Sequence, residues 1–158
     1  MRSDDRGSIA VTIALLLPLF LTALVGVVHL GALRVIATRV STAADLATLA
    51  ATDDQDATAL VKSGVLRLSP DAVSVARTYF ALNLAPISAY LGVTPEQAAA
   101  QADVVAFADV PVTDPLTGWR YDRPTVRIVA DVPVRAPVFG ALLPATTTLR
   151  VRAASAPR

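Results

Sequence analysis

At 158 residues, 54% of them hydrophobic and 17% charged, the chain is long enough for one domain beyond any membrane segment. A net charge of +1, from 14 basic and 13 acidic residues, gives no global field to draw in nucleic acid or an anionic membrane surface. The absence of cysteine excludes a disulfide framework, a thiolate zinc site and a Cys nucleophile.

From Ser8 to Leu33 there is no Asp, Glu, Lys or Arg. A bilayer core takes roughly 20 apolar residues in helical form. Residues 9–33 are therefore expected to form one transmembrane span, after a leader at residues 1–7. The apolar run is too long for a cleaved secretory signal, whose core is about 7–15 residues. Pro18 should kink or loosen the helix locally. Arg2 and Arg6 favour a cytoplasmic N-terminus, against Arg34 and Arg39 just past the other end. His29, the only histidine, falls inside the span. It reads either as a contact for another membrane helix or as a neutral imidazole near the outer boundary.

Helical spacing continues beyond the span. Ile36, Val40, Ala43, Ala47 and Ala50 recur at steps of four and three, while Arg34, Arg39, Thr42 and Asp45 fall on other faces. One helix is expected from about Ser8 to Thr52, with Ala43, Ala47 and Ala50 forming a packing stripe. Small side chains let another backbone come close. Asp53-Asp54-Gln55-Asp56 then reads as a capped, solvated corner, and the spacing of an EF-hand loop is absent. An outer domain is expected over 53–158.

Residues 57–68 form a short amphipathic segment. Ser69-Pro70-Asp71 is a helix start, with Ser as cap and Pro at the first position, and the helix should run to about Leu84 before Pro86 stops it. Val73, Ala76, Phe80 and Leu84 share one face. Thr94-Pro95-Glu96-Gln97 repeats the signal, with Gln97 placed to close a capping box on a helix ending near Ala102.

The period then changes from 3.6 to 2. Strands are expected over Asp103–Val112, Thr125–Val134 and Thr147–Ala154, one face apolar and one polar, as in an antiparallel sheet with a solvated side. Pro111 and Pro133 point to strand ends, an edge or a bulge. Residues 113–124 form a long hairpin loop. Its Trp119 and Tyr121 either make a recognition patch or fold back on the sheet. The connection 137–144, holding Phe139, is unusually apolar and reads as fold-back cover or as a docking patch. The fold class is thus α+β: a long N-terminal helix, transmembrane in its first half, then short helices and an antiparallel sheet of three or more strands.

No residues gather for chemistry. The lone histidine lies in the span, and the only glutamate, Glu96, is accounted for by its helix start. No glycine loop or metal-ligand spacing occurs. The expectation is a non-enzymatic protein with no metal, cofactor, nucleic acid or small-molecule substrate.

Arg6-Gly7-Ser8-Ile9-Ala10-Val11-Thr12-Ile13-Ala14-Leu15-Leu16-Leu17-Pro18, then Gly31, then Ser41-Thr42-Ala43-Ala44-Asp45-Leu46-Ala47-Thr48-Leu49-Ala50 resembles the N-terminus of TadE/TadG-like proteins, which assemble the tight-adherence (Flp-type) pilus of bacteria. The Val-rich strand, Pro137-Val138-Phe139 and the last strand resemble that family's ending. The resemblance implies a pilin-like architecture, an N-terminus in the cytoplasm, an extracytoplasmic C-terminal domain, and other pilin-like or pilus assembly subunits as partners. It also implies a processing site: cleavage after Gly7 would make Ser8 the new N-terminus and set Thr12 where pilin substrates carry Glu. With Thr12 there, cleavage is expected to be slow or absent. A stand-alone membrane-anchored envelope protein, binding another protein or a wall polymer, is the alternative reading.

Overall fold

A computed structural model describes residues 5–56, 59, 61–62, 64, 67–135 and 146–157, with side chains from residue 11 onward. One helix, α1 (Asp5–Asp53), runs 49 residues, about 70 Å at 1.5 Å per residue, with Pro18 inside it. The Thr22 hydroxyl donates to the Pro18 carbonyl at 2.8 Å, which places a polar side chain on the backbone there. Large apolar residues from Val11 to Leu30 are exposed around the rod, Leu15 at 72% and Val27 at 69%. The helix is long and apolar enough over this stretch to cross a membrane.

The outer half of α1 is different because it is covered. Ile36, Val40, Ala43, Ala44, Ala47 and Ala51 are buried against α2 (Ala72–Leu84), β4 (Thr125–Arg135) and β5 (Thr146–Ser155). The stripe ends on Ala51, whereas Ala50 is only half-buried. A step of four from Ala47 keeps the face turned inward, and a step of three rotates Ala50 toward its rim. Thr48 and Thr52 are buried on the same face, their hydroxyls donating to the carbonyls of Asp45 and Leu49, each at 2.9 Å. Thr48 and Ser155 hydroxyls also meet at 2.9 Å, tying α1 to the end of β5.

Helix α2 starts later than the Ser-Pro signal predicts. Residues 69–71 form a turn in which Ser69 Oγ accepts from the Asp71 N–H at 3.2 Å, and Asp71 is the cap residue. Its buried face is Ala72, Ala76, Phe80 and Leu84, with Val73 half-buried. Pro86 does not stop the chain turning: a 3₁₀ helix follows directly over Ala85–Tyr90, since Pro fits the first turn of a new helical segment. Helix α3 (Pro95–Gln101) carries the expected capping box, Thr94 and Gln97 each bonding the other's backbone N–H. The corner after α1 is held by the Ser69 N–H on the Asp54 carbonyl and the Asp56 N–H on the Arg67 carbonyl, both 3.0 Å. Most of the amphipathic segment at 57–68 lies outside the described residues.

The main sheet is antiparallel in the order β1-β4-β5, with β1 at Asp103–Phe107. The strand expected over Asp103–Val112 ends at Phe107. Five residues later β2 (Val112–Thr113) pairs with β3 (Arg120–Tyr121) as a separate hairpin. Where β1 has left the flank of β4, Leu91 bridges Val134 and the Gly92 N–H donates to the Pro133 carbonyl at 2.7 Å. Pro133, which offers no N–H, sits where that flank needs only an acceptor. A Cβ on Gly92 would lie 3.2 Å from the Pro133 Cβ, so the close approach favours glycine.

Candidate functional site

Alternation along β4 puts Val126, Ile128, Ala130, Val132 and Val134 toward the helices, where all five are buried. The other face is not simply solvated: Thr125, Arg127 and Val129 are buried too. The cover is the β2–β3 hairpin. Tyr121 folds back on Phe107, ring centroids 5.2 Å apart, whereas Trp119 stays 69% exposed. Tyr121 thus folds back toward the sheet, and Trp119 does not.

Arg127 is 3% exposed and organises this layer. Its Nη2 donates to Asp103 Oδ2 at 2.8 Å, and its Nε lies 3.1 Å from Asp114 Oδ2 as an ion pair without an aligned hydrogen bond. Nη1 has no hydrogen-bond partner. Asp114 is fully buried, accepting from the Leu116 N–H at 3.0 Å and the Thr117 hydroxyl at 2.5 Å. Burial works against its charge. The Thr117 hydroxyl, the Leu116 N–H, the Arg127 guanidinium and the Thr117 N–H outweigh that and hold the carboxyl below its ordinary value. Backbone bonds Asp114 N–H to Trp119 O and Gly118 N–H to Asp114 O, both 2.8 Å, close the turn. Gly118 stands at φ +72°, the left-handed region that glycine enters without strain.

Beside this network is a cleft of about 230 Å³ lined by Asp45, Thr117, Trp119, Tyr121, Arg127, Arg152, Ala153 and Ala154. Among the residues singled out from sequence, only Trp119 and Tyr121 come together here. Ala43 and Ala47 lie under the sheet, Ala50 at the rim, and His29 far along the apolar half of α1. Gly7, Ser8 and Thr12 fall within the first turns of α1. Phe139, with the whole 137–144 connection, lies outside the described residues. Sequence reasoning missed Asp114, Arg127 and Arg152. The signal was present in Asp114-Pro115-Leu116-Thr117-Gly118, an acid poised to bond the backbone two residues on within a glycine-closed turn. Among the described residues, no three metal-ligating side chains form a group.

The helical placement of residues 5–12 bears on processing, because a helical peptide bond must be unwound before a peptidase can cut it. Cleavage after Gly7 is expected to be slow or absent. Mass spectrometry of the purified chain should find the N-terminus upstream of Ser8, and a chain starting at Ser8 would show that Thr12 suffices for cleavage.

The fold and the site define a class: an α+β head with a polar, aromatic-rimmed cleft, carried on a helix whose other half is bare apolar surface. No family model, curated protein or solved structure matches the chain.

Proposed function

We propose that the chain is a bitopic, non-enzymatic, minor-pilin-like component of a tad/Flp-type pilus or secretion assembly. Its N-terminus is in the cytoplasm and its head outside the membrane. The observation that carries this reading is the single unbroken helix. One half offers lipid or neighbouring helices an apolar surface, and the other half is clamped under the head by an alanine and threonine face. Such a rod transmits a pull on the head to the membrane without a flexible joint, and it can pack among pilin helices if it leaves the bilayer. The resemblance of residues 6–50 to TadE/TadG-like proteins supports the pilus assignment.

Two experiments test it. With no cysteine in the chain, Thr148→Cys on the exposed side of β5 gives one thiol. It should react with an impermeant maleimide in intact cells, and labelling only after lysis would reverse the orientation. The tagged chain should also co-purify with the major pilin and the platform protein of its own cell, and its deletion should abolish the filaments. Retained filaments with no co-purification would overturn the pilus reading. The second reading, a stand-alone envelope protein that binds another protein or a wall polymer, is favoured by Trp119, which stands exposed beside Arg152 as a stacking surface would.

A further inference from the structure

Strand β5 is the last strand of the main sheet. It pairs with β4 along Thr146–Ser155, and among the described residues no strand pairs with its other side. The ten residues hold no proline and no lysine, the usual devices that blunt an edge against further pairing. The 230 Å³ cleft lies at the C-terminal end of this edge, because three consecutive residues, Arg152, Ala153 and Ala154, line it. Arg152 and Ala154 share the hairpin side of the sheet with Arg127, while Ala153 and Asp45 of α1 belong to the helix side, so the cleft lies on the hairpin side and reaches round β5. The hairpin with Trp119 flanks one side and α1 with Asp45 the other. Arg127, whose side chain lines the same cleft, adds a second guanidinium beside that of Arg152.

We propose that this edge is a strand-addition site for an extended segment of a partner protein that carries acidic residues two positions apart. The segment's backbone pairs with β5, and its acids face Arg150 and Arg152 on the exposed side. Main-chain bonds supply the affinity in this mode and alternate side chains the selectivity. Arg150 is held only by an exposed pair with Asp131 at 3.7 Å, a weak competitor. Asp45 of α1 also lines the cleft, one carboxylate against the two guanidinium groups of Arg127 and Arg152. A second copy of this chain is a poor occupant. The two antiparallel registers that use most of β5 set Arg150 opposite Arg152 or opposite its own copy, and like charges directly across a ladder oppose pairing.

The proposal rests on reading the head as a docking module, and it does not need the pilus assignment. Trp119 is the only tryptophan, so its fluorescence reports the cleft without a label. The full chain in detergent micelles is titrated with a capped heptapeptide alternating valine and glutamate, and with its valine–lysine counterpart. A saturable change in Trp119 emission is expected with the glutamate peptide, with at least tenfold weaker binding of the lysine peptide. Amide exchange at 150–155 should slow in the bound state. Arg152→Glu, at an exposed position that leaves the fold intact, should reverse the preference. A flat titration, equal binding of both peptides, or a preference that survives Arg152→Glu overturns the site. So does a chain that elutes as a dimer with β5 already protected from exchange. A chain that binds the peptide yet never co-purifies with pilus subunits keeps this site and loses the pilus assignment.

Discussion

Replacing Ala47 by arginine is expected to unseat the head from α1. Ala47 is fully buried between the helix and the elements above it, where no space exists for a long side chain. Overpacking costs about 1–3 kcal/mol. A buried charge without a partner adds more, for a total of roughly 3–5 kcal/mol. That is a large share of the ~5–15 kcal/mol that holds a domain folded. Limited proteolysis of the full chain in detergent should cut the outer domain far faster than in the parent protein, and the thermal transition should fall by many degrees. Leu49→Arg is the control. Leu49 is 44% exposed on another face of the same turn, and its variant should digest like the parent. Equal digestion of the Ala47 variant would mean the head does not sit on this face of α1.

The register of that stripe shows how far periodicity carries. Steps of three and four identified Ile36, Val40, Ala43 and Ala47, all buried, because one straight helix keeps its phase over several turns. At the end both Ala50 and Ala51 fit steps of three or four from Ala47, and only the packing shows that the step of four carries the buried face. The strands were legible for the same reason, and Thr125–Arg135 came within one residue of its expected end. What could not be read was that a second layer, the β2–β3 hairpin, lies over the polar face of β4. Alternation assigned Arg127 and Val129 to water. A two-strand hairpin of only four paired residues has no periodic signature of its own. Its stability comes from tertiary contacts, Tyr121 on Phe107 and Asp114 on Arg127. The same limit applied to Trp119 and Tyr121. Two aromatics two apart on one loop look alike in sequence, and only the position of Phe107 separates the one that folds back from the one that stays out.

Asp114→Ala should release the hairpin. The carboxylate is fully buried and performs two tasks: it closes its own turn through Leu116 and Thr117, and it faces the Arg127 guanidinium. Removing one member of a buried pair strands the other charge and typically costs about 3–5 kcal/mol. Asp103 remains on Nη2, but it is half-exposed and compensates only part of the arginine. The expected result is a lower melting transition, with faster amide exchange at the Asp114 N–H, whose bond to the Trp119 carbonyl closes the hairpin. Acid should act at the same place. The Asp114 carboxyl is held below its unfolded value in the native state. Its contribution is therefore complete above the unfolded value of about 3.9 and is lost as pH falls through the lower folded value. The parent melting temperature should drop below about pH 4, and Asp114→Ala should flatten that part of the profile while lying below the parent at neutral pH. Asp114→Asn, which keeps the shape and one acceptor oxygen without the charge, should fall between them at neutral pH. A parent and an alanine variant with superimposable acid limbs would mean that other carboxylates govern the acid response and that the Arg127–Asp114 pair does not hold the hairpin down.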